Sequence, residues 1–145
     1  MTRIHTDGAC RGNPGPGGWA WAHGRELYAS GAEAHTTNQR MEIRAVIEAL
    51  REYSEGPIEI VSDSSYVVKC FHERWHVGWL RRGWRNSQGK PVANRELWEA
   101  LFALTLDVPR EVTFSWVKGH SGDPMNDFVD ALATRAADLQ VGQHS

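Results

Sequence analysis

Two cysteines in 145 residues, Cys10 and Cys70, are too few for a disulfide scaffold, and no CxxC pair marks a metal knot. No run of about 18 apolar residues occurs, so no segment is expected to span a membrane. The first residues lack the apolar stretch of a secretory leader, and a reducing cytoplasm is the expected setting. There is no internal repeat and no low-complexity segment. Acid is missing from one place in particular. Between Arg74 and Arg95 the chain carries six basic residues and no Asp or Glu. The net charge of −2 therefore divides into +6 over those 22 residues and −8 over the rest.

What is present suffices for one folded unit. The length and the 41% hydrophobic content suit a single domain over residues 1–138. Residues 139–145 have no apolar period and read as a flexible tail. Within the basic stretch Trp75, Trp79 and Trp84 alternate with arginines, which suits a nucleic-acid backbone. A solvated basic face anchored to the core by tryptophans is the plainer alternative.

Hydrophobic spacing orders the elements. Arg3 to Thr6 alternate polar and apolar, predicting a strand over Thr2–Asp7. The glycines and prolines between Gly8 and Gly18 then exclude a regular helix. Trp19–Ala22 and Glu26–Ala34 read as a hairpin pair. A helix is predicted from the Thr37-Asn38 cap to about Tyr53, then a buried strand over Ile58–Ser62. Helix follows from Ser64, with helical pieces broken at Gly78 and Gly83, and another helix covers Asn94–Leu104. A strand over Val112–Trp116 precedes a last helix that opens at Asp123-Pro124 and runs to about Leu139. Three antiparallel strands, then strands alternating with helices, predict a mixed α/β fold.

The acids fall into this frame. Asp7 and Asp63 each stand at the carboxyl end of a predicted strand, the edge where α/β sheets bind ligands. Glu42 lies one turn into a helix, and Asp127 and Asp130 lie three residues apart at the start of the last one. Converging carboxylates repel by roughly 1 to 4 kcal/mol per pair at ~4 Å. A divalent cation that prefers oxygen relieves such a cluster, and Mg²⁺ does so together with substrate phosphates. Taken singly, each acid is a turn or helix-start residue; taken together, beside a basic arm, they point to a metal site.

The segments "TDGACRGNPGPGGW", "TTNQRMEIRAVIEAL", "VSDSSYV", "GWLRRGW", "LWEAL" and "VKGHSGDPMNDFVDALA" resemble, in order, the motifs of type 1 ribonuclease H. The resemblance implies a ribonuclease H-like fold: a five-stranded mixed sheet, three antiparallel strands then parallel ones, flanked by helices. It implies an endonuclease, active as a monomer, that hydrolyses the RNA strand of RNA–DNA hybrids with two Mg²⁺ ions, Mn²⁺ substituting. The products carry 5′-phosphate and 3′-hydroxyl ends. The family's metal-binding acids fall on Asp7, Glu42, Asp63 and Asp130, and its active-site histidine falls on His120. Asp7 bridges the two ions, Glu42 and Asp63 complete one set of ligands, and Asp130 belongs to the other. The loop bearing Asn13, with Asn38, Gln39 and Glu42, reads RNA 2′-hydroxyls. Thr37, Arg40 and Asn94 hold phosphates of the DNA strand. Trp75 and Trp84, with Arg81, Arg82 and Arg85, flank its sugar path. "NDFVD" departs from the family pattern in placing Asp127 where a Glu is usual.

One motif misleads. "HERWH", His72 to His76, matches the HExxH spacing of zinc peptidases on a predicted helix, yet no third ligand follows it. Two other classes fit a sheet with converging acids. A strand-joining transposase usually needs an extra DNA-binding domain, for which 145 residues leave no room. A non-catalytic hybrid-binding module tends to lose its acids, and here all four are kept.

Overall fold

A computed structural model describes residues 1–145, the whole chain. Its elements are β1 (Thr2–Cys10), β2 (Gly15–Ala22), β3 (Tyr28–Thr36), α1 (Asn38–Glu52), β4 (Ile58–Ser62), α2 (Ser65–His72), α3 (Trp75–Arg81), α4 (Arg95–Thr105), β5 (Val112–Trp116) and α5 (Pro124–Leu139). The strands form one sheet in the order β3-β2-β1-β4-β5. Pairing is antiparallel across β3, β2 and β1 and parallel across β1, β4 and β5, the mixed α/β sheet that the sequence predicts. No helix is long and apolar enough to cross a membrane.

Two unequal cores cover the sheet. One face carries Ile4, Ile58, Ile60 and Phe114 against the apolar stripes of α1, α2 and α4, with Trp98 and Leu101 fully buried. Each such aliphatic side chain removed from water contributes about 1.5 to 3 kcal/mol. The other face is covered by α5, where Ala20, Ala22, Val129 and Ala133 form a thin layer of small side chains. Cys10 and Cys70 are both free thiols, and burial pushes Cys70 up to about 12.

The helix starts follow the expected chemistry. Thr37 Oγ1 accepts from Arg40 N at 3.2 Å, Ser64 Oγ from Val67 N at 3.3 Å, and Asp123 Oδ1 from Met125 N and Asn126 N at 3.0 Å. At the other ends, the half-buried Arg110 guanidinium donates to the carbonyls of Leu50, Tyr53 and Leu104, near the C-termini of α1 and α4.

Four boundaries differ from the sequence reading, the start of β2 at Gly15 instead of Trp19 among them. β1 does not stop at Asp7 but runs to Cys10, because Gly15–Gly18 form the start of β2 and pair back to it. β3 lies two residues later than expected, over Tyr28–Thr36. Gly78 sits inside α3 and breaks nothing; the interruption is at Arg74, whose φ of 54° no regular helix accommodates. Residues 143–145 lie along β3: Ser30 N donates to Gln143 O at 2.8 Å and Ser145 N to Tyr28 O at 3.0 Å.

Candidate active site

Register places the two aspartates. The parallel pairing of β1 with β4 ends at Thr6 opposite Ser62, and Asp7 and Asp63 are the next residue on each strand. β1 continues along β2, so Asp7 lies inside a strand that has just lost its neighbour on one side. His5 and Asp7, two apart, share a face of β1. It is the α5 face: His5 Nε2 is 3.9 Å from Asp123 Oδ1, and the Asp130 carboxylate on the second turn of α5 adds to the negative charge around Asp7. α1 closes in from the opposite face. A Cβ added to Gly8 would fall 2.5 Å from Glu42 N, so only bare backbone lets the first turn of α1 come this near. The result is that ligand oxygens of Asp7, Glu42 and Asp63 all lie within 4.8 Å of one another. Asp130 stands outside that trio, against Asp7.

Nothing positive balances these groups. Among the ion pairs of the molecule none involves Asp7, Glu42, Asp63 or Asp130. Asp7 is 3% exposed; its Oδ1 accepts from Gly8 N at 2.9 Å, while its Oδ2 is buried without a partner. Glu42 Oε2 is likewise buried and unpartnered. Burial first, then the neighbouring Glu42 and Asp63 carboxylates, push Asp7 up to about 10. Burial, followed by Asp63 and Asp130, holds Glu42 well above the usual carboxylate range. Orphaned carboxylate oxygens that face one another are a donor set for a hard, oxygen-preferring cation, and the residues present fit one.

The loop after β5 passes directly over this set. A Cβ on Gly119 would fall 2.9 Å from Asp63 Oδ2. His120, next in the chain, is exposed and held at φ 57°. Sequence reasoning passes over Asn126, although it is the first residue of "NDFVD". It is 2% exposed, donates from Nδ2 to Asp63 Oδ2 at 3.4 Å, and has its own Oδ1 buried without a partner. The readable signal is an amide one helical turn before Asp130, on the same face of α5.

The residues expected to contact substrate fall into three groups. Asn13 Oδ1 accepts from Asn38 N at 2.9 Å, which ties the β1–β2 turn to the start of α1. That leaves its amide N–H₂ exposed beside Asn38 and Gln39. Thr37, Arg40 and Asn94 are neighbours: Thr37 Oγ1 accepts from Arg40 N, Arg40 donates to Asn94 Oδ1 at 3.4 Å, and Tyr66 accepts from Asn94 Nδ2 at 3.3 Å. Glu96 pairs with Arg40 at 2.5 Å and so occupies its guanidinium in the free protein. The third group is the basic arm. Arg81, Arg82 and Arg85 are exposed and meet no acid. The tryptophans beneath them are half-buried or buried. Trp75 and Trp84 lie 6.0 and 6.1 Å from Trp79, which packs at 5.6 Å on Trp98, and Arg95 covers Trp84 at 5.0 Å. The stretch is thus rooted in the core by its aromatics and presents its arginines at the surface.

The zinc-peptidase spacing does not survive folding. α2 ends at His72 and α3 begins at Trp75, so the two histidines never share a helix. His72 Nε2 meets Phe114 O at 2.6 Å, and His76 packs 5.6 Å from the Phe102 ring.

Comparison with known proteins agrees with this geometry. The RNase H family profile matches residues 1–138. A ribonuclease H of Thermus thermophilus is 51% identical over 142 residues, covering 95% of this chain and 84% of that one. The crystal structure of LC9-RNase H1, a type 1 RNase H with the type 2 active-site motif, superposes with a TM-score of 0.81 at 29% identity, covering 99% of this chain and 76% of that one. LC11-RNase H1, solved in complex with an RNA/DNA hybrid, shares the fold at a TM-score of 0.73 and 22% identity, covering 94% and 96%. Similar along nearly its whole length to proteins so named, and with acids gathered where its strands run out, the chain belongs to the RNase H family.

Proposed function

We propose that this protein is an endonuclease that hydrolyses the RNA strand of RNA–DNA hybrids with two divalent cations, Mg²⁺ in the first place, leaving 5′-phosphate and 3′-hydroxyl ends. The observation that carries the reading is the trio Asp7, Glu42 and Asp63 within 4.8 Å, with buried orphan oxygens on two of them. Asp7, Glu42 and Asp63 would hold one cation, and Asp7 with Asp130 the second. When bound, the cations supply a lowered water pKa and charge relief at the scissile phosphate and the leaving 3′ oxygen. The protein's own groups do the rest. Asn126 orients the Asp63 carboxylate through its amide. His120, exposed on its loop, takes or returns a proton at the rim of the site. Gln39 and the amides of Asn13 and Asn38 offer donors and acceptors that pair with RNA 2′-hydroxyls. The Thr37, Arg40 and Asn94 group takes a DNA-strand phosphate, which competes with Glu96 for the guanidinium.

The test is strand choice. Labelled hybrid, double-stranded RNA and double-stranded DNA are incubated with Mg²⁺ and with chelator. The hybrid should be cut in the RNA strand only, and only with metal. Deoxynucleotides placed across the cut should suppress cleavage there by as much as ~10⁴, since a site built for a hydroxyl is left unpaired without it. Cleavage of double-stranded DNA at a comparable rate would overturn the reading.

A further inference from the structure

The sequence motifs leave one cation of the β1–β2 turn unused. Arg11 reaches across to α5, where its Nε and Nη2 donate to the two oxygens of Asp138 at 2.6 and 2.9 Å. Both side chains are about half exposed. Asp138 sits in the last turn of α5, where no basic residue balances the negative end of the helix. A carboxylate there is repelled by the helix carbonyls, so Arg11 is its relief, and the pair aims the guanidinium. Two of the five guanidinium N–H groups are spent on Asp138, which leaves three to face outward.

A shallow, open groove of about 650 Å³ runs along the exposed side of α5 from Asp130 past Thr134 and Arg135 to Asp138, whose carboxylate carries Arg11. Arg135 is exposed and makes no ion pair. Otherwise this edge is acidic, with Asp127, Asp130 and Asp138 on α5. An RNA strand leaving the carboxylate cluster along it would be repelled unless cations meet its phosphates. Asp130 and Asp138 are eight residues apart, about 12 Å of helix. With one phosphate per ~3.4 Å of duplex axis on each strand, that places Arg11 within about four phosphates of the cut.

We propose that this groove is an RNA-strand phosphate subsite, with Arg11, aimed by Asp138, as the ligand of a phosphate beyond the scissile one and Arg135 beside it. The inference rests on the hybrid-cleaving function proposed above. It differs from the basic arm in strand and in place: the arm is built on α3 and the segment after it, the groove on α5.

A neutralisation scan tests it. Hybrids are made in which one phosphate of the RNA strand at a time is a methylphosphonate on a deoxynucleotide, each with a deoxynucleotide control carrying the ordinary phosphate. With the wild-type protein, one position beyond the cut should raise KM by about tenfold. Arg11→Ala should raise KM on unmodified hybrid by a similar factor, leave kcat within about twofold, and lose its sensitivity to that one position. Arg11→Lys, which keeps the charge but not the fork, should restore most of the KM. An unchanged KM in Arg11→Ala overturns the proposal. So does a raised KM with the wild-type scan profile intact, or a failure of lysine to rescue, because then the pair only clamps the turn to α5. A wild-type protein that leaves every hybrid uncut removes the functional reading itself, and this subsite with it.

Discussion

Asp7 concentrates the electrostatic strain of the site, and its replacement separates stability from catalysis. Asp7→Asn should abolish hybrid cleavage while raising the stability of the metal-free protein at neutral pH by up to ~4 kcal/mol, because folding no longer has to take up a proton at position 7. Added Mg²⁺ should raise the melting temperature of the wild type, and that of the variant less. The pH dependence follows from the raised carboxyls. Asp7 and Glu42 stay protonated in the fold where the unfolded chain has ionised them. Their contribution is complete below pH ~4 and is lost as pH climbs toward the folded-state values. The Asp7 proton should cost up to ~1.4 kcal/mol per pH unit, and Glu42 adds in the same direction. The clean window is pH 7 to 9, since His5 and His76, both lowered by burial, work in the opposite direction below it. Calorimetry in chelator should therefore show wild-type stability falling across that window and Asp7→Asn falling less; a flat wild-type profile would mean that the carboxyls ionise freely. Asp63 is legible in the sequence because β4 ends just before it in turn residues, and Asp7 because alternation gives way to glycines there, although β1 itself runs on to Cys10. Asn126 and Arg11 are not, because an amide or a guanidinium beside glycines and acids has no period to betray it, and its partner lies 63 or 127 residues away.

At the scale of elements, Arg110 is the joint. One guanidinium satisfies carbonyls near the C-terminal ends of both α1 and α4. Arg110→Met keeps the aliphatic volume and removes every donor, so it should destabilise by roughly 2 to 4 kcal/mol in urea denaturation. The slope of the transition should be unchanged. A loss below ~0.5 kcal/mol would mean that water replaces the guanidinium without penalty. The helices themselves read well from sequence, because Thr37, Ser64 and Asp123 are caps whose chemistry is local. Arg74 reads badly for the opposite reason. Its left-handed backbone is one that arginine rarely adopts and that no local sequence signal marks, and the visible glycine at position 78 draws the eye to the wrong place.

For the molecule as a whole, charge is sorted by region: a positive arm, an acid cluster at the parallel strand ends, and an acidic α5 edge relieved by two arginines. Replacing Arg81, Arg82 and Arg85 with Ala should weaken hybrid binding while leaving the cleavage step nearly unchanged. The plot of log affinity against log salt should flatten by about one for each phosphate that the arm no longer holds. A slope equal to that of the wild type would reduce the arm to a solvated face. The mixed pairing is readable, since three alternating segments precede the first helix and strands alternate with helices after it, but the choice of β4 for the free side of β1 over that of β3 is not. Nor is the fate of the last residues, because a segment without apolar period can still offer its backbone. Gln143 and Ser145 use theirs on Tyr28 and Ser30, at the outer strand of the sheet. Unpaired amides on an outer strand invite strand addition from a second molecule, the first step toward fibrils. These few polar residues thus act as a gatekeeper. A fragment trimmed at Leu139 would keep every carboxylate of the site and surrender its colloidal protection.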